Sequence, residues 1–248
     1  MKRIGPIRTR RNLLAASGLL VGAALSQLGI SRANAKHGGG ACFLRGTCLL
    51  TPTGERNIED LRIGDLLMTL NGEAKPIQWI GRRVYKRSTG TSYPQSVLPV
   101  RVPRGALGPS EPRRDLFISQ HHALWVDGLL IQAIDLIKGS SIGIVSAAEL
   151  SEIEYLHVKL PRHNIIFAEG APCETLLVHS GNVDRFDNFA EYLRLYGEDA
   201  TEEAACAPIA IKVGRDRLLS RLRSAVSPWF DCRNEFDKAR DRIEERVS

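Results

Sequence analysis

Short apolar runs separated by turn residues fill the chain from about Phe43 to Val178. Each run is about six residues long or shorter. β-branched and aromatic residues are frequent in these runs, as is typical of strands. Hardly any of these runs continues at the spacing of a long helix. The pattern therefore predicts about ten short strands joined by hairpins, and an all-β fold class for residues 41–178.

Turn residues locate several of the predicted elements. Asn71-Gly72 and Asp127-Gly128 each separate two apolar runs, which is a strong signal for a tight β-hairpin. Ile58–Leu61 has the pattern of a single helical turn. Val97–Val102 has the pattern of a strand, but prolines interrupt it, and because proline cannot donate to a strand ladder we expect an edge strand there.

The pattern changes after Gly181. Apolar residues now recur at helical spacing, so the sequence predicts a helical C-terminal extension over residues 179–248. The residues that carry this period are Phe186, Phe189, Leu193 and Tyr196, then Leu218, Leu219, Leu222 and Val226, and finally Phe236, Ala239 and Ile243.

Residues 1–35 have the organisation of a bacterial export signal. Arg10-Arg11 is a twin-arginine pair, a weakly apolar run follows from Leu13 to Ile30, and Ala33-Asn34-Ala35 is a small-residue cleavage site. The run is shorter than the ~20 apolar residues of a spanning helix, so we expect cleavage after Ala35 and no stable membrane span. The sequence predicts export by the twin-arginine machinery to the periplasm or the extracellular space.

The net charge of +6 at first indicates a nucleic-acid partner, but its position argues against one. Six of the 34 basic residues lie in residues 1–35, which contain no acid, so the remainder carries 28 basic and 28 acidic residues. A neutral body has no field that attracts nucleic acid. The sequence indicates no nucleic-acid partner, no metal and no cofactor.

Cys42 stands at the start of the predicted β domain, directly after the glycine-rich linker 36–40. A thiol in this place is either a buried strand residue or a nucleophile aimed at the carbonyl before it. The chain has five cysteines, so at least one is unpaired within a monomer, and no CxxC occurs. These spacings favour neither a zinc ribbon nor a dense disulfide scaffold.

Seven short motifs follow one another along the predicted β domain. They are C-F-x-x-G-T from Cys42, T-P-x-G from Thr51, I-E-D-L-x-x-G-D from Ile58, N-G at Asn71, I-x-W-I-G from Ile77, S-x-x-H from Ser119 and H-x-I-I-x-A-E-G from His163. In this order they resemble the Hint family, the autoprocessing fold shared by hedgehog C-terminal domains and inteins. The similarity is greatest to bacterial stand-alone Hint domains and covers about residues 41–178.

The resemblance implies roles for four residues. Cys42 is expected to attack the Ala41 carbonyl and form a thioester, and His122 to protonate the departing amide nitrogen. Ser119 stands where the family usually has threonine, and is expected to position the same peptide bond. His163 matches the late histidine that assists resolution of the intermediate.

Two departures from the family pattern argue against splicing and against sterol-dependent cleavage. Inteins end in His-Asn, whereas residues 169–173 contain neither, and residues 182–248 have no apolar sterol-binding character. We therefore expect self-cleavage between Ala41 and Cys42 without splicing, by hydrolysis or capture by a thiol, and no substrate in trans. His121 and His157 are expected to be ordinary structural histidines, and a zinc site of His157, His163 and Cys173 is disfavoured.

Two alternatives stay open at the sequence level. Only residues 36–41 would precede Cys42 after removal of the signal, so cleavage would release a six-residue peptide. The chain could instead be an exported Hint-fold module whose chemistry is vestigial and whose surface binds a partner. It could also be a plain β domain with structural cysteines.

Overall fold

Short strands dominate the computed structural model, which describes residues 40–87, 90–137, 141–179, 181–197, 203–210, 237–239 and 241–243. The all-β prediction is confirmed. The strands are β1 Phe43–Leu44, β2 Cys48–Thr51, β3 Gly54–Asn57, β4 Leu66–Met68, β5 Ala74–Pro76, β6 Trp79–Lys86, β7 Val100–Val102, β8 Leu116–Ile118, β9 Ala123–Val126, β10 Leu129–Gln132, β11 Gly143–Ile144, β12 Glu152–Lys159, β13 Ile165–Ala168, β14 Ala171–Glu174 and β15 Ile209–Ala210. The α-helices are α1 Ala133–Leu136 and α2 Phe189–Tyr196, and single 3-10 turns cover Ile58–Asp60, Gln95–Val97 and Ala147–Glu149.

The strands form three sheets. A six-stranded sheet has the order β11-β7-β8-β1-β12-β6, a seven-stranded sheet the order β15-β10-β9-β14-β13-β2-β3, and β4 pairs with β5 alone. The pairs are antiparallel except for β10 and β15, which run parallel. Neighbours in a sheet are often far apart in sequence, so residues from distant segments meet at β1, which lies between β8 and β12.

Both predicted hairpins are present. Asn71-Gly72 joins β4 to β5, and Gly72 has a φ of +81°. Asp127-Gly128 joins β9 to β10 with φ values of +51° and +86°. Two successive positive φ values are those of a type I′ turn, whose twist matches that of the flanking strands. The helical turn predicted near Ile58 is also observed, as the 3-10 turn Ile58–Asp60.

The edge-strand prediction for Val97–Val102 is wrong. Its strand, β7, has neighbours on both sides, because β8 and β11 both pair with it. Pro99 and Pro103 lie just outside the strand, so neither removes a ladder hydrogen bond from its interior.

Parts of the predicted extension are helical, and parts of it pack on the β domain. The helix α2 and the helical residues 237–239 and 241–243 agree with the predicted period. Ala239 and Ile243 are buried in the main apolar core. The strand β15 was not predicted, because a two-residue strand has no period that a sequence pattern can reveal.

Several sequence predictions lie outside the described residues. These are the signal residues Arg10, Arg11, Ala33 and Ala35, the linker before Gly40, the apolar period at residues 218–226, and Cys232. Within the residues that the structure describes, no helix is both long and apolar enough to cross a membrane.

Candidate functional site

The Ser119 side chain brackets the peptide bond between Ala41 and Cys42. Its Oγ accepts a hydrogen bond from the Cys42 N–H at 2.8 Å and donates one to the Gly40 carbonyl at 2.6 Å. The Ser119 backbone N–H donates to the Cys42 carbonyl at 2.9 Å. One residue therefore holds the backbone on both sides of Ala41, which fixes the position of the bond predicted to break.

Strand pairing explains why Ser119 reaches this peptide. Phe43 on β1 is the register partner of Ile118 on β8, so the residue before Phe43 lies beside the residue after Ile118. Past Ser119 the chain turns sharply, and the His122 N–H bonds the Ser119 carbonyl at 3.1 Å. The tight turn places Ser119 and His122 next to the same segment, as the S-x-x-H spacing predicted.

The His122 ring is fully buried beside β1. Its centroid lies 4.2 Å from that of Phe43, the residue after Cys42. Burial lowers the pKa of His122 to about 4, although the Glu174 charge and the backbone of Cys42 and Glu174 raise it in part. Neither ring nitrogen has a well-aligned hydrogen-bond partner among the residues that the structure describes. At neutral pH the ring is therefore uncharged and free to accept a proton.

The Cys42 side chain is 4% exposed and belongs to an apolar cluster that includes Trp79 and Tyr155. Burial raises the pKa of its thiol well above the ordinary value, and the Arg83 guanidinium lowers it only in part. Arg83 lies in the same sheet, as the register partner of Tyr155. The thiol is thus kept protonated until a base takes its proton.

His157 is buried next to His122, with ring centroids 4.9 Å apart. Burial lowers the pKa of His157 well below its ordinary value, and the nearby His122 and His163 lower it further. Both of its ring nitrogens lack a hydrogen-bond partner in the described structure. The sequence-based expectation of a satisfied structural histidine is therefore wrong for His157. His121 does have a partner, since its Nδ1 lies 3.1 Å from the Gln132 Oε1.

His163 is joined to the His122 turn through Glu174. Its Nε2 faces the Glu174 Oε2 at 3.4 Å, and its Nδ1 accepts the Cys206 N–H at 3.0 Å. Burial lowers the pKa of His163, but contacts with Cys206 and with the Glu174 carboxylate outweigh burial and raise the pKa to about 9. The two histidines assigned to catalysis thus have oppositely shifted pKa values.

The sequence reasoning did not single out Glu174 and Arg83. Both lie outside the quoted motifs, and their importance arises from pairing with distant segments. Among the described cysteines, Cys42, Cys48, Cys173 and Cys206 are free thiols. No three His, Cys, Asp or Glu side chains within the described ranges are arranged to hold a metal ion.

Comparisons with solved structures find inteins. The MchDnaB-1 intein is 17% identical, covers 55% of this chain and 100% of its own, and has a TM-score of 0.39. A bacterial intein-like domain from Clostridium thermocellum is 15% identical, with 55% and 99% coverage and a TM-score of 0.39. A DnaB intein from Synechocystis sp. PCC 6803 is 12% identical, with 55% and 99% coverage and a TM-score of 0.37. A comparison with curated proteins finds no match.

A family model provides the assignment. The model described as "Hint domain" matches residues 41–180, which begin just before Cys42 and include Ser119, His122 and His163. This match extends over more than half of the sequence. The chain therefore belongs to the Hint domain family, whose fold indicates a capacity for autoprocessing in general.

Proposed function

We propose that the chain cleaves itself between Ala41 and Cys42 through an N–S acyl shift. The observation that carries this proposal is the bracket that Ser119 makes around the peptide bond, with hydrogen bonds to the Gly40 carbonyl and the Cys42 N–H. A held peptide loses less entropy when a neighbouring group attacks it.

In the proposed first step the Cys42 Sγ attacks the Ala41 carbonyl carbon, and its proton passes to His122. His122 is suited to this because burial keeps it neutral at pH 7, with a pKa of about 4. His122 then returns the same proton to the Cys42 nitrogen, and the C–N bond breaks. The products are a thioester between Ala41 and the Cys42 Sγ and a free amine on Cys42.

In the proposed second step water or an external thiol attacks the thioester. Water releases the segment that ends at Ala41 as a carboxylic acid, whereas a thiol releases it as a new thioester. His163 is the residue whose family position supports a role here. Splicing is not part of the proposal, because residues 169–173 contain no His-Asn pair.

The test uses a stable carrier protein fused in front of the full chain. We expect slow release of a fragment that ends at Ala41, and faster release when dithiothreitol is added, because a thiol intercepts a thioester faster than water does. Intact mass spectrometry identifies both new ends. A fusion that stays intact under thiol, and behaves like its Cys42→Ala variant, would exclude this function.

One observation favours a second candidate, an exported Hint-fold module that binds a partner without chemistry. The Cys42 thiol is almost fully buried and burial raises its pKa, both of which reduce its nucleophilicity. The same fusion separates the two functions, since a module without chemistry leaves the bond before Cys42 intact.

Export is a further part of the proposal, supported by the sequence of residues 1–35 alone. Replacement of both Arg10 and Arg11 by lysine should abolish export while keeping the charge, because the pair is recognised by a receptor. Cell fractionation followed by immunoblotting measures this. Undiminished export of the lysine variant would indicate an ordinary secretory signal instead.

A further inference from the structure

We infer that Glu174 is a positioning residue for self-cleavage: one carboxylate oxygen fixes the turn that carries Ser119 and His122, and the other faces His163. The inference rests on the proposed function, since it assigns Glu174 a part in that reaction. Glu174 is 6% exposed and lies at the end of β14.

The first contact joins Glu174 to the His122 turn. The strands β14 and β9 pair with Cys173 opposite Leu124. At the next position the Glu174 Oε1 accepts the Ala123 N–H at 2.7 Å, so a side chain takes the place of a backbone acceptor. Because Ala123 directly follows His122, this bond anchors one end of the turn. The His122 carbonyl, which accepts the Ala133 N–H at 2.9 Å, anchors it from another side.

The second contact joins the same carboxylate to His163. The Glu174 Oε2 lies 3.4 Å from the His163 Nε2. The other ring nitrogen, Nδ1, accepts the Cys206 N–H and so carries no proton in this arrangement. A proton on Nε2 is directed towards the Glu174 carboxylate, at a distance longer than that of a well-aligned hydrogen bond. The contacts at Nδ1 and Nε2 together orient the His163 ring.

Glu174 also brings a negative charge to a buried group of histidines. Its charge raises the pKa of both His122 and His163, against the effect of burial. The titratable groups that face these side chains are Cys42, His157 on β12, Cys173 on β14 and Cys206. At His122 the Glu174 charge, which raises the pKa, acts against the charge of His163, which lowers it.

The charge matters at the moment when His122 holds the proton of Cys42. An imidazolium ion in a dry interior is unstable unless an opposite charge lies nearby. Glu174 supplies that charge, and the Ala123 anchor keeps it at a constant position relative to His122. Removing the charge while keeping the shape should therefore weaken His122 as a base without unfolding the site.

The test compares Glu174→Gln with a matched control, Glu169→Gln. Glu169 is also 6% exposed, and its Oε1 also accepts a backbone N–H at 2.7 Å, that of Cys48. Its second oxygen pairs with Arg114 at 2.7 Å and faces no histidine. In the full-chain carrier fusion we expect Glu174→Gln to cleave about tenfold more slowly, below the ~10²–10⁴-fold loss expected for His122 itself. The control should cleave at the parent rate.

A titration of the histidine ring protons by NMR supplies a readout that a purely structural role would not move. In Glu174→Gln the pKa of His163, read as the midpoint of its titration, should fall from about 9. The pH below which cleavage slows should also become lower. Glu174→Asp keeps the negative charge and should therefore keep most of the rise in the pKa of His163.

The inference is overturned if Glu174→Gln keeps the parent's His163 midpoint, or if Glu169→Gln changes rate and midpoint to the same extent. If the parent itself does not cleave, the proposed function fails. In that case the titration still decides whether Glu174 controls the two histidines.

Discussion

Cys42 and Cys48 stand on either side of the short strand β1, yet their surroundings are opposite. Cys42 is buried against aromatic side chains, and the peptide before it is held by Ser119. Cys48 is partly exposed, and its Sγ donates to the Asn57 Oδ1 at 3.0 Å. The first thiol packs among apolar side chains, whereas the second faces a polar side chain and solvent.

The charged residues that act on the two thiols also differ. Burial raises the pKa of both thiols, and at Cys42 the Arg83 guanidinium lowers it in part. At Cys48 the Arg114 contact lowers the pKa, while Glu169 and Glu55 raise it. These charged residues form ion pairs at a surface that we call the charged rim, composed of Glu55, Arg113, Arg114 and Glu169.

The comparison shows that the two thiols differ in accessibility and in the way the preceding peptide is held. Cys48 is open to reagents from solvent, and the peptide before it is held by the Glu169 carboxylate at its N–H and by the Ile58 N–H at its carbonyl. Cys42 is shielded from reagents, and the backbone on both sides of Ala41 is held by one hydroxyl, that of Ser119. A buried thiol is therefore compatible with an intramolecular reaction, for which no substrate has to enter.

The largest expected effect is the contrast between Cys42→Ala and Cys48→Ala. Cys42→Ala should stop cleavage in the carrier fusion, because only this thiol is placed to form the thioester. Cys48→Ala should cleave at the parent rate. Gel densitometry over several days measures both. Equal rates in the two variants would remove the distinction between the buried and the exposed thiol.

His122→Ala should slow cleavage by ~10²–10⁴-fold, the usual contribution of a positioned acid or base. His121→Ala is the matched control, because it removes the neighbouring histidine, whose Nδ1 lies 3.1 Å from the Gln132 Oε1. Initial rates at pH 7 measure the difference. A loss of similar size in His121→Ala would point to disruption of the turn and not to proton transfer.

Ser119→Ala should slow cleavage by less, on the order of tenfold, because it removes hydrogen bonds and leaves the nucleophile and base in place. Ser119→Thr keeps the hydroxyl, and Thr is the residue that the family usually has there. It should therefore retain most of the parent rate. A Thr variant as slow as the Ala variant would show that side-chain volume, not the hydroxyl, matters at this 3% exposed position.

The smallest expected effect concerns stability in acid. The folded-state pKa of His122, about 4, lies below the unfolded value of 6.5, so the unfolded state binds more protons between these pH values. The free energy of unfolding should therefore fall as the pH drops from 6.5 to 4, by on the order of 3 kcal/mol for this group. His163 does not oppose this, because its raised pKa adds stability that is lost only as the pH rises from 6.5 towards 9.

Urea unfolding of the parent and of His122→Phe at pH 7 and pH 4.5 tests whether the free energy of unfolding falls in acid because of His122. The variant should lose less stability between the two pH values than the parent does. The Arg113–Glu55 ion pair of the charged rim should respond to added salt instead, since exposed ion pairs are screened. An unchanged pH dependence in the variant would show that His122 is already protonated in the folded state.

The sequence predicted those parts of the fold and site that depend on neighbouring residues. Asn71-Gly72 and Asp127-Gly128 determine their hairpins locally, and Ser119 and His122 share one turn. Glu174 was missed because its partners, the Ala123 N–H and His163, become neighbours only through pairing of β14 with β9 and β13. The position of β7 within its sheet could not be predicted either, since it depends on which strands lie beside it.

The strand β15 also has a consequence for association between copies of the chain. It adds in parallel to β10 at the end of the seven-stranded sheet, and the Leu130 N–H bonds the Pro208 carbonyl at 2.9 Å. Without these residues, β10 would present unpaired amide and carbonyl groups to solvent, which is a template for strand addition by another molecule. A two-residue cap offers far less of such a template. The segment that contacts His163 thus also limits edge-to-edge aggregation of the sheet.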